Sequence, residues 1–375
     1  MSQAFEHGLH DIERTKRKRA ALKAWQTIRR RRRQIYEMQV RRLDEIFATR
    51  KQVTTIKHPL DSGLVQVSVP KLISIRTSYG KGIVSQFDKT PPEIACGRFW
   101  ELRWAFGCPF DCAYCYLRGT SRGSMKPRYI KIRYVLEALD EAFKGITEPS
   151  IFNSGELSDS WMNPKIMIQI VEKFETQHKH RLLTLTKFGS KSLMVSLLLE
   201  RPRKQTITAF SVNAPEVARK YERAAPSPEE RINAGRLLSG AGYDTWIRID
   251  PIFPIESWRE HYGDLLYSIL SAFEPNRIIL GTPRGLWKTL VFARKAGVDM
   301  SWTRYFSDEQ TGWGKKLPFD VRKAIYQFMY DQLSDLGFEK QKISMCKEEV
   351  SMWKEMKLNY APLTCSCYGQ ATDLM

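Results

Sequence analysis

Between residues 99 and 300, short apolar runs alternate with helical stretches, and this alternation leaves the chain few folds to adopt. The runs fall at Phe99–Phe106, Ser150–Asn153, Leu182–Thr186, Thr206–Val212, Thr245–Asp250 and Arg277–Leu280. Helical periodicity occupies the intervals near 131–144, 163–178, 190–199, 227–240, 260–273 and 285–296. Ser227-Pro228-Glu229-Glu230 is a strong helix start, with a capping hydroxyl, Pro in the first turn and Glu three residues on. Six strand–helix repeats predict an α/β fold with a parallel sheet and right-handed crossovers. Six units suit an open barrel or a doubly wound sheet. In both, function collects at the carboxyl ends of the strands.

The flanks differ in character. Residues 1–51 carry 15 Lys/Arg against 6 Asp/Glu, which is +9 of the chain's +19. Leu22, Trp25 and Ile28, then Val40, Leu43, Ile46 and Phe47, recur at helical spacing in this basic segment. It reads as a helical extension whose apolar stripe packs and whose arginines are solvated or neutralise phosphates. Such a charge excess favours a polyanion, with nucleic acid the first candidate. Residues 52–98 read as a β and loop lead-in, 99–300 as the strand–helix body, and 301–375 as an extension with a helix near 318–336 and a cysteine-bearing end. Hydrophobic residues at 42% and charged residues at 27% exclude a disordered or fibrous chain. No apolar stretch approaches the roughly 18 residues of a membrane span, and no secretory leader is visible, so a cytoplasmic protein is expected.

Seven cysteines in tight groups, without a leader, point to metal ligation in a reducing compartment. Cys108, Cys112 and Cys115 lie in Gly107-Cys-Pro-Phe-Asp-Cys-Ala-Tyr-Cys-Tyr116, directly after the first predicted strand. Three thiolates so spaced can converge on one small centre. A structural zinc site normally takes four protein ligands, and none of the six histidines is near in sequence. Iron–sulfur clusters are ordinarily held by four thiolates. Three would leave one iron open, the arrangement a reactive cluster needs.

This spacing after the first strand resembles the radical S-adenosylmethionine superfamily. From Trp104 to about Asp264 the chain further resembles the spore photoproduct lyase family of DNA repair enzymes. The resemblance is carried by Cys112-Ala-Tyr-Cys-Tyr-Leu117, Glu156-Leu-Ser-Asp159, Thr186-Lys187, Phe210-Ser-Val-Asn213, Ala241-Gly-Tyr243, Asp250-Pro-Ile252 and Ser257-Trp258. It implies a partial (β/α)6 barrel of the TIM-like, radical S-adenosylmethionine type. It implies a [4Fe-4S] cluster on Cys108, Cys112 and Cys115, S-adenosylmethionine on the open iron, and a 5′-deoxyadenosyl radical that removes hydrogen from an unactivated carbon. An electron donor such as flavodoxin or ferredoxin follows from the same chemistry.

Carried over residue by residue, Ser158, Lys187 and Ser211 match positions that contact S-adenosylmethionine, and Gly155-Glu156 resembles the element that receives its amino group. Arg248, inside the apolar run Trp246-Ile-Arg-Ile249, needs a carboxylate or phosphate if it points inward, and Asn213 closes the Phe210-Ser-Val-Asn213 match; both join the candidate set. Each has a plain alternative: a turn cap for Ser158, simple exposure for Lys187, a structural salt bridge for Arg248. Tyr114 and Tyr116 match tyrosines implicated in relaying hydrogen or holding the cofactor, and packing around the cluster is the other reading. One departure stands out. The lyases carry a hydrogen-donating cysteine just before the Ser-Asp pair, and the matching residue here is Glu156. A carboxylate is no thiol, so the resemblance implies a lyase-like pyrimidine repair enzyme while admitting a different reaction, such as hypermodification or isomerisation of a base in DNA or RNA. A non-catalytic iron–sulfur nucleic-acid-binding protein is the non-enzymatic alternative. Cys346, Cys365 and Cys367 form a late group that can hold an auxiliary metal or cluster, with Cys96 a conceivable fourth ligand, supply the missing thiol, or remain inert.

Overall fold

A computed structural model of the chain describes residues 78–358, apart from 81, 88, 97 and 98. The basic extension, most of the lead-in, and Cys365 and Cys367 lie outside the described residues. Nine strands form one sheet: β1 (Ser78–Tyr79), β2 (Val84–Gln86), β3 (Trp100–Leu102), β4 (Ile151–Asn153), β5 (Arg181–Thr186), β6 (Thr206–Ser211), β7 (Asp244–Ile249), β8 (Arg277–Leu280) and β9 (Ile343–Met345). Every strand neighbours its successor in this series. β1, β2 and β3 pair antiparallel, and from β3 to β9 all pairings are parallel. A doubly wound sheet reverses its strand order at a switch point. Among the described residues this order never reverses and the ends do not pair, so of the two architectures open on sequence grounds the structure is the partial barrel.

Every helix the periodicity predicts between residues 131 and 336 is present, and the short Pro215–Tyr221 and Val350–Glu355 are added to them. Ile132–Gly145 buries Val135, Ala138, Leu139 and Ala142, a stripe at i, i+3, i+4 and i+7. Pro164–Phe174 starts on Asn163, whose side chain accepts from Ile166 N, and Pro228–Gly240 starts on Ser227, which accepts from Glu230 N. The expected 318–336 helix is Phe319–Asp335.

Two departures concern strands. The run at 99–106 is not one strand: β3 ends at Leu102, and Ala105–Phe106 turns off to pair antiparallel with Arg128–Tyr129. Trp104 makes the corner, fully buried, its indole N–H donating to Ser154 O at 3.0 Å and its carbonyl accepting from Ile130 N. The other departure is β9, which lies beyond residue 300 and extends the parallel sheet; Ile-Ser-Met is too short for periodicity to reveal. No helix among the described residues is long and apolar enough to cross a membrane.

Strand alternation places the site. Ile151, Leu183, Ile207, Ala209, Trp246 and Ile279 form one buried cluster on the inner face. Their neighbours Phe152, Leu182, Phe210, Ile247 and Ile278 belong to the larger core shared with the helices. Followed two residues at a time toward the carboxyl ends, the inner face turns polar, reaching Asn153, Ser211 and Arg248. Arg248 and Ser211 are direct cross-strand partners.

Candidate active site

The cysteine loop is anchored at both ends. Gly107 (φ +81°) has no room for a side chain, since a Cβ would lie 2.5 Å from Lys126 O. Its N–H donates to Leu157 O at 3.0 Å, binding the loop to the Ser158 segment after β4. Cys108 N donates to Met125 O and Ala113 N to Tyr221 O. The buried Arg118 guanidinium closes the loop on Asp111, donating to Oδ1 at 2.7 Å and to the backbone carbonyl at 3.1 Å.

Cys108, Cys112 and Cys115 all open into a cavity of about 340 Å³ at the carboxyl ends of the strands. Glu156, Ser158, Lys187, Ser211 and Arg248 line the same cavity, as do Tyr114 and Tyr116. Residues spread over 140 positions of sequence are thereby gathered at one opening, and most of the sequence-derived candidates are among them.

Lys187 is not a simple exposed lysine. Its side chain is 14% accessible, and its ammonium donates to Ser211 Oγ at 2.6 Å and pairs with Glu222 Oε1 at 3.2 Å. Glu222, fully buried, also binds Arg231 at 2.6 Å and accepts from the Tyr114 hydroxyl. Burial alone would raise this carboxyl; Lys187 and Arg231 overcome it and hold it at about 2. Burial and the Glu222 charge push the Tyr114 phenol well above its ordinary range, so it keeps its proton.

Asp159 sets the geometry between β4 and β5. Its carboxylate accepts from Trp161 N at 2.9 Å, Thr186 Oγ1 at 2.8 Å and Lys187 N at 2.7 Å. Burial raises it to about 6 even so. Ser158, one residue earlier, is buried and its hydroxyl has no partner among the described residues, which removes the turn-cap reading. Glu156 accepts from Asn153 Nδ2 at 3.0 Å and faces the Lys347 ammonium at 3.6 Å. The Tyr116 hydroxyl donates to the Glu156 backbone carbonyl.

Arg248 shares Asp250 with Arg284: Arg248 Nη2 donates to Oδ2 at 3.1 Å, and Arg284 Nη2 to the two carboxylate oxygens at 3.0 and 2.9 Å. Against burial, the two guanidinium groups hold Asp250 at about 2. Arg248 is thus part of a salt bridge as well as of the cavity wall.

Two candidates fall elsewhere. Asn213 does not line the cavity; it is buried, donating to Pro251 O at 2.8 Å and accepting from Ala214 N and Tyr262 Oη, so it fixes the β6 and β7 loops. Its nearness in sequence to Ser211 does not carry it to the cavity, because β6 ends at Ser211 and Asn213 lies in the loop beyond, tied down by Pro251, Ala214 and Tyr262. Cys346 closes β9, buried at the inner face, where its sulfur accepts from Arg248 Nη2; it is not part of the cavity lining.

Sequence reasoning missed Glu222, Arg231, Asp159, Arg284 and Lys347. Asp159 was legible in the Ser-Asp pair; the others lie on loops and helices with no local signal. Lys347 reaches the cavity because its backbone takes a left-handed turn (φ +54°) between β9 and the short strand Glu348–Glu349. Glu348 locks that turn, buried against Lys316 at 3.0 Å, Arg322 and the Tyr326 hydroxyl at 2.8 Å.

The sequence model described as spore photoproduct lyase matches residues 85–278, just over half of the chain. The chain belongs to the spore photoproduct lyase family. It is 29% identical over 175 residues to the spore photoproduct lyase of Clostridium acetobutylicum, covering 44% of this chain and 50% of that protein. With the Bacillus subtilis spore photoproduct lyase it shares 27% identity over 194 residues, 50% of this chain and 54% of that one. The chain spans about half the length of the curated relatives it matches. A solved spore photoproduct lyase variant with bound AdoMet and dinucleoside spore photoproduct superposes with TM-score 0.56 at 18% identity, covering 69% of this chain and 78% of that one. That likeness shows the shared fold of this family member.

Three observations test whether the residues fit the cofactors implied by this family. The Ser158 hydroxyl is a buried donor without a partner, facing the cavity that holds the thiols. Lys187 has three N–H groups, of which Ser211 and Glu222 occupy two, leaving one to offer. Among the described residues no three His, Cys, Asp or Glu side chains are drawn together tightly enough for a single metal ion. Cys108, Cys112 and Cys115 open into one cavity, and cysteine thiolates are the donors that iron–sulfur clusters take.

Proposed function

We propose that this chain is a radical S-adenosylmethionine enzyme that abstracts hydrogen from a nucleic-acid base, with a DNA pyrimidine the leading substrate. The observation that carries this reading is the opening of Cys108, Cys112 and Cys115 into one cavity with Ser158, Lys187 and Ser211. When bound, a [4Fe-4S] cluster and S-adenosylmethionine supply a 5′-deoxyadenosyl radical that takes hydrogen from an unactivated carbon.

The chain's own residues hold and shield that chemistry. The three cysteines would ligate the cluster; burial raises all three thiols, so they become thiolates only against a cationic centre. Ser158, Lys187 and Ser211 would present two hydroxyls and an ammonium to the acceptor-rich cofactor, and Glu156 would receive its amino group. Tyr114 and Tyr116 already commit their hydroxyls to Glu222 and the Glu156 carbonyl. Holding those groups in place is the role this supports. Phe110, Trp302 and Trp313 supply apolar walls that keep water from the reacting carbon. A base inside a duplex is hidden, so the target would be extruded or already unpaired. The basic segment 1–51 would grip the backbone, and a flavodoxin or ferredoxin would deliver the electron.

Glu156 favours a second reading of the product. It stands where the family places a thiol, and its carboxylate is engaged by Asn153 and Lys347. This group cannot return a hydrogen atom, so modification of a base without lesion reversal is the alternative outcome of the same abstraction.

The test is anaerobic reconstitution, reduction with dithionite, and incubation with DNA carrying deuterated thymine. The expected result is 5′-deoxyadenosine formed when DNA is present and labelled from thymine. Unlabelled 5′-deoxyadenosine would remove the thymine reading, and formation only with RNA would transfer the substrate class. Absence of the brown chromophore, or its persistence when all three cysteines are replaced by alanine, would defeat the whole proposal.

A further inference from the structure

A second cavity, of about 390 Å³, backs onto the first. The wall between them is one backbone layer. Gly285 and Lys315 exchange two backbone hydrogen bonds across it, at 2.8 and 3.2 Å. Along 284–287 alternate residues face opposite cavities, Arg284 and Leu286 the first and Gly285 and Trp287 the second; on the facing segment Trp313 lines the first, and Gly314 and Lys315 line the second. The wall cannot be thickened. A Cβ on Gly314 (φ +86°) would lie 2.4 Å from the Gly285 carbonyl oxygen, and one on Gly285 would lie 2.9 Å from the Phe306 ring.

Trp287 is 77% exposed, the largest figure for any large hydrophobic side chain among the described residues. It opens the helix Trp287–Lys295, whose buried contacts are made by Thr289 and Ala293 instead. Nothing in the packing of this helix calls for an indole at that position. The charged lining beside it is cationic, Arg294 and Lys315. Lys315 has only a loose pair at 3.7 Å with the fully exposed Asp308. Arg294 is exposed and makes no ion pair among the described residues. An exposed aromatic face next to uncommitted cations is complementary to a base with its phosphate.

We propose that the second cavity is a subsite for the nucleotide adjoining the one that enters the first. Trp287 stacks its base, and Arg294 and Lys315 hold the intervening phosphate. A single-layer wall lets successive nucleotides of one strand settle on its two sides. This inference rests on the nucleic-acid reading above and adds to it a recognition element outside the catalytic cavity.

Fluorescence-anisotropy titration of the full chain with single-stranded DNA hexamers tests it. One hexamer is intact; the other keeps a single thymine among abasic residues. Trp287→Ala should weaken binding of the intact hexamer about 5- to 150-fold, and Trp287→Phe should retain most of the affinity. The abasic hexamer should bind native chain and Trp287→Ala alike. Arg294→Ala should lower the slope of log affinity against log salt by about 0.7. Equal affinity of native and Trp287→Ala for the intact hexamer would overturn the subsite while leaving the nucleic-acid reading intact. An equal loss on both hexamers would also overturn it, since Trp287 would then act on the fold and not on a base. Failure of the native chain to bind either hexamer would overturn both readings.

Discussion

The buried hydroxyl of Ser158 has no partner in the structure, yet an unpaired buried polar group costs about 1–3 kcal/mol. A cost of that size is tolerated where a ligand relieves it. Ser158→Ala should therefore leave thermal unfolding of the cofactor-free protein unchanged or slightly raised, while weakening S-adenosylmethionine binding several-fold, as read by calorimetry and equilibrium dialysis. A loss of stability without a loss of affinity would show that the hydroxyl serves the fold. Lys187 behaves in the opposite way. Its ammonium is already tied to Ser211 and Glu222, so its removal leaves the buried Glu222 carboxylate with Arg231 as its one cationic partner among the described residues and takes away a ligand contact as well. The motif Thr186-Lys187 made the lysine legible, but not the Glu222 that aims it, which lies 35 positions further on and has no motif of its own.

Among the elements, the turn after β4 controls the most. Gly155, Glu156, Ser158 and Asp159 all line the cavity within five positions. Gly155 packs so closely that a Cβ would lie 2.7 Å from the Leu185 Cβ on the next strand. Gly155→Ala should destabilise the protein by about 1–3 kcal/mol, the usual cost of overpacking, and should displace Glu156 and Ser158 together. Differential scanning calorimetry and cofactor titration would check both; an unchanged melting temperature would show that the turn yields freely. The longer helices were legible from their 3.6-residue spacing, with bounds off by a few residues, whereas the short Pro215–Tyr221 and Val350–Glu355 show too little of a period to be seen. The corner at Trp104 was not legible, because the run 99–106 carries no Pro or Gly and its alternation of Leu102, Trp104 and Phe106 with Glu101 and Arg103 reads straight through the point where the chain leaves the sheet. β9 was also hidden, since three residues are too few to show a period.

For the whole molecule, buried charge makes stability depend on pH. Glu222 and Asp250 are each held at about 2 by cationic partners, below their ordinary values of 4.5 and 3.8. Their contribution is fully present above the unfolded-state values and is lost as pH falls from about 4.5 through 2. Asp159 has the opposite sign. Raised by burial to about 6, it binds a proton more tightly folded than unfolded, so it favours the fold below pH 4 and loses that contribution as pH rises through 6. The two carboxylates outweigh the one, and denaturant titrations should show stability falling steeply between pH 4.5 and 2. For Glu222 alone the drop should be on the order of 3 kcal/mol. Glu222→Gln should flatten that limb and lower stability at neutral pH, where Arg231 would lose its partner; an unaltered limb would place the acid sensitivity elsewhere.

Local pattern was enough for the α/β class, the order of the longer helices and the thiol trio, because periodicity, caps and ligand spacing are properties of neighbouring residues; the cavity hydroxyls of Ser158 and Ser211 came from the family resemblance. It could not choose between a curled and a doubly wound sheet, since that depends on which strands pair, and pairing joins residues far apart in the chain. It also could not separate Ser211 from Asn213, or Arg248 from its salt bridge. Which way a side chain points at a strand end, and what meets it there, is settled only when distant strands and loops pack together.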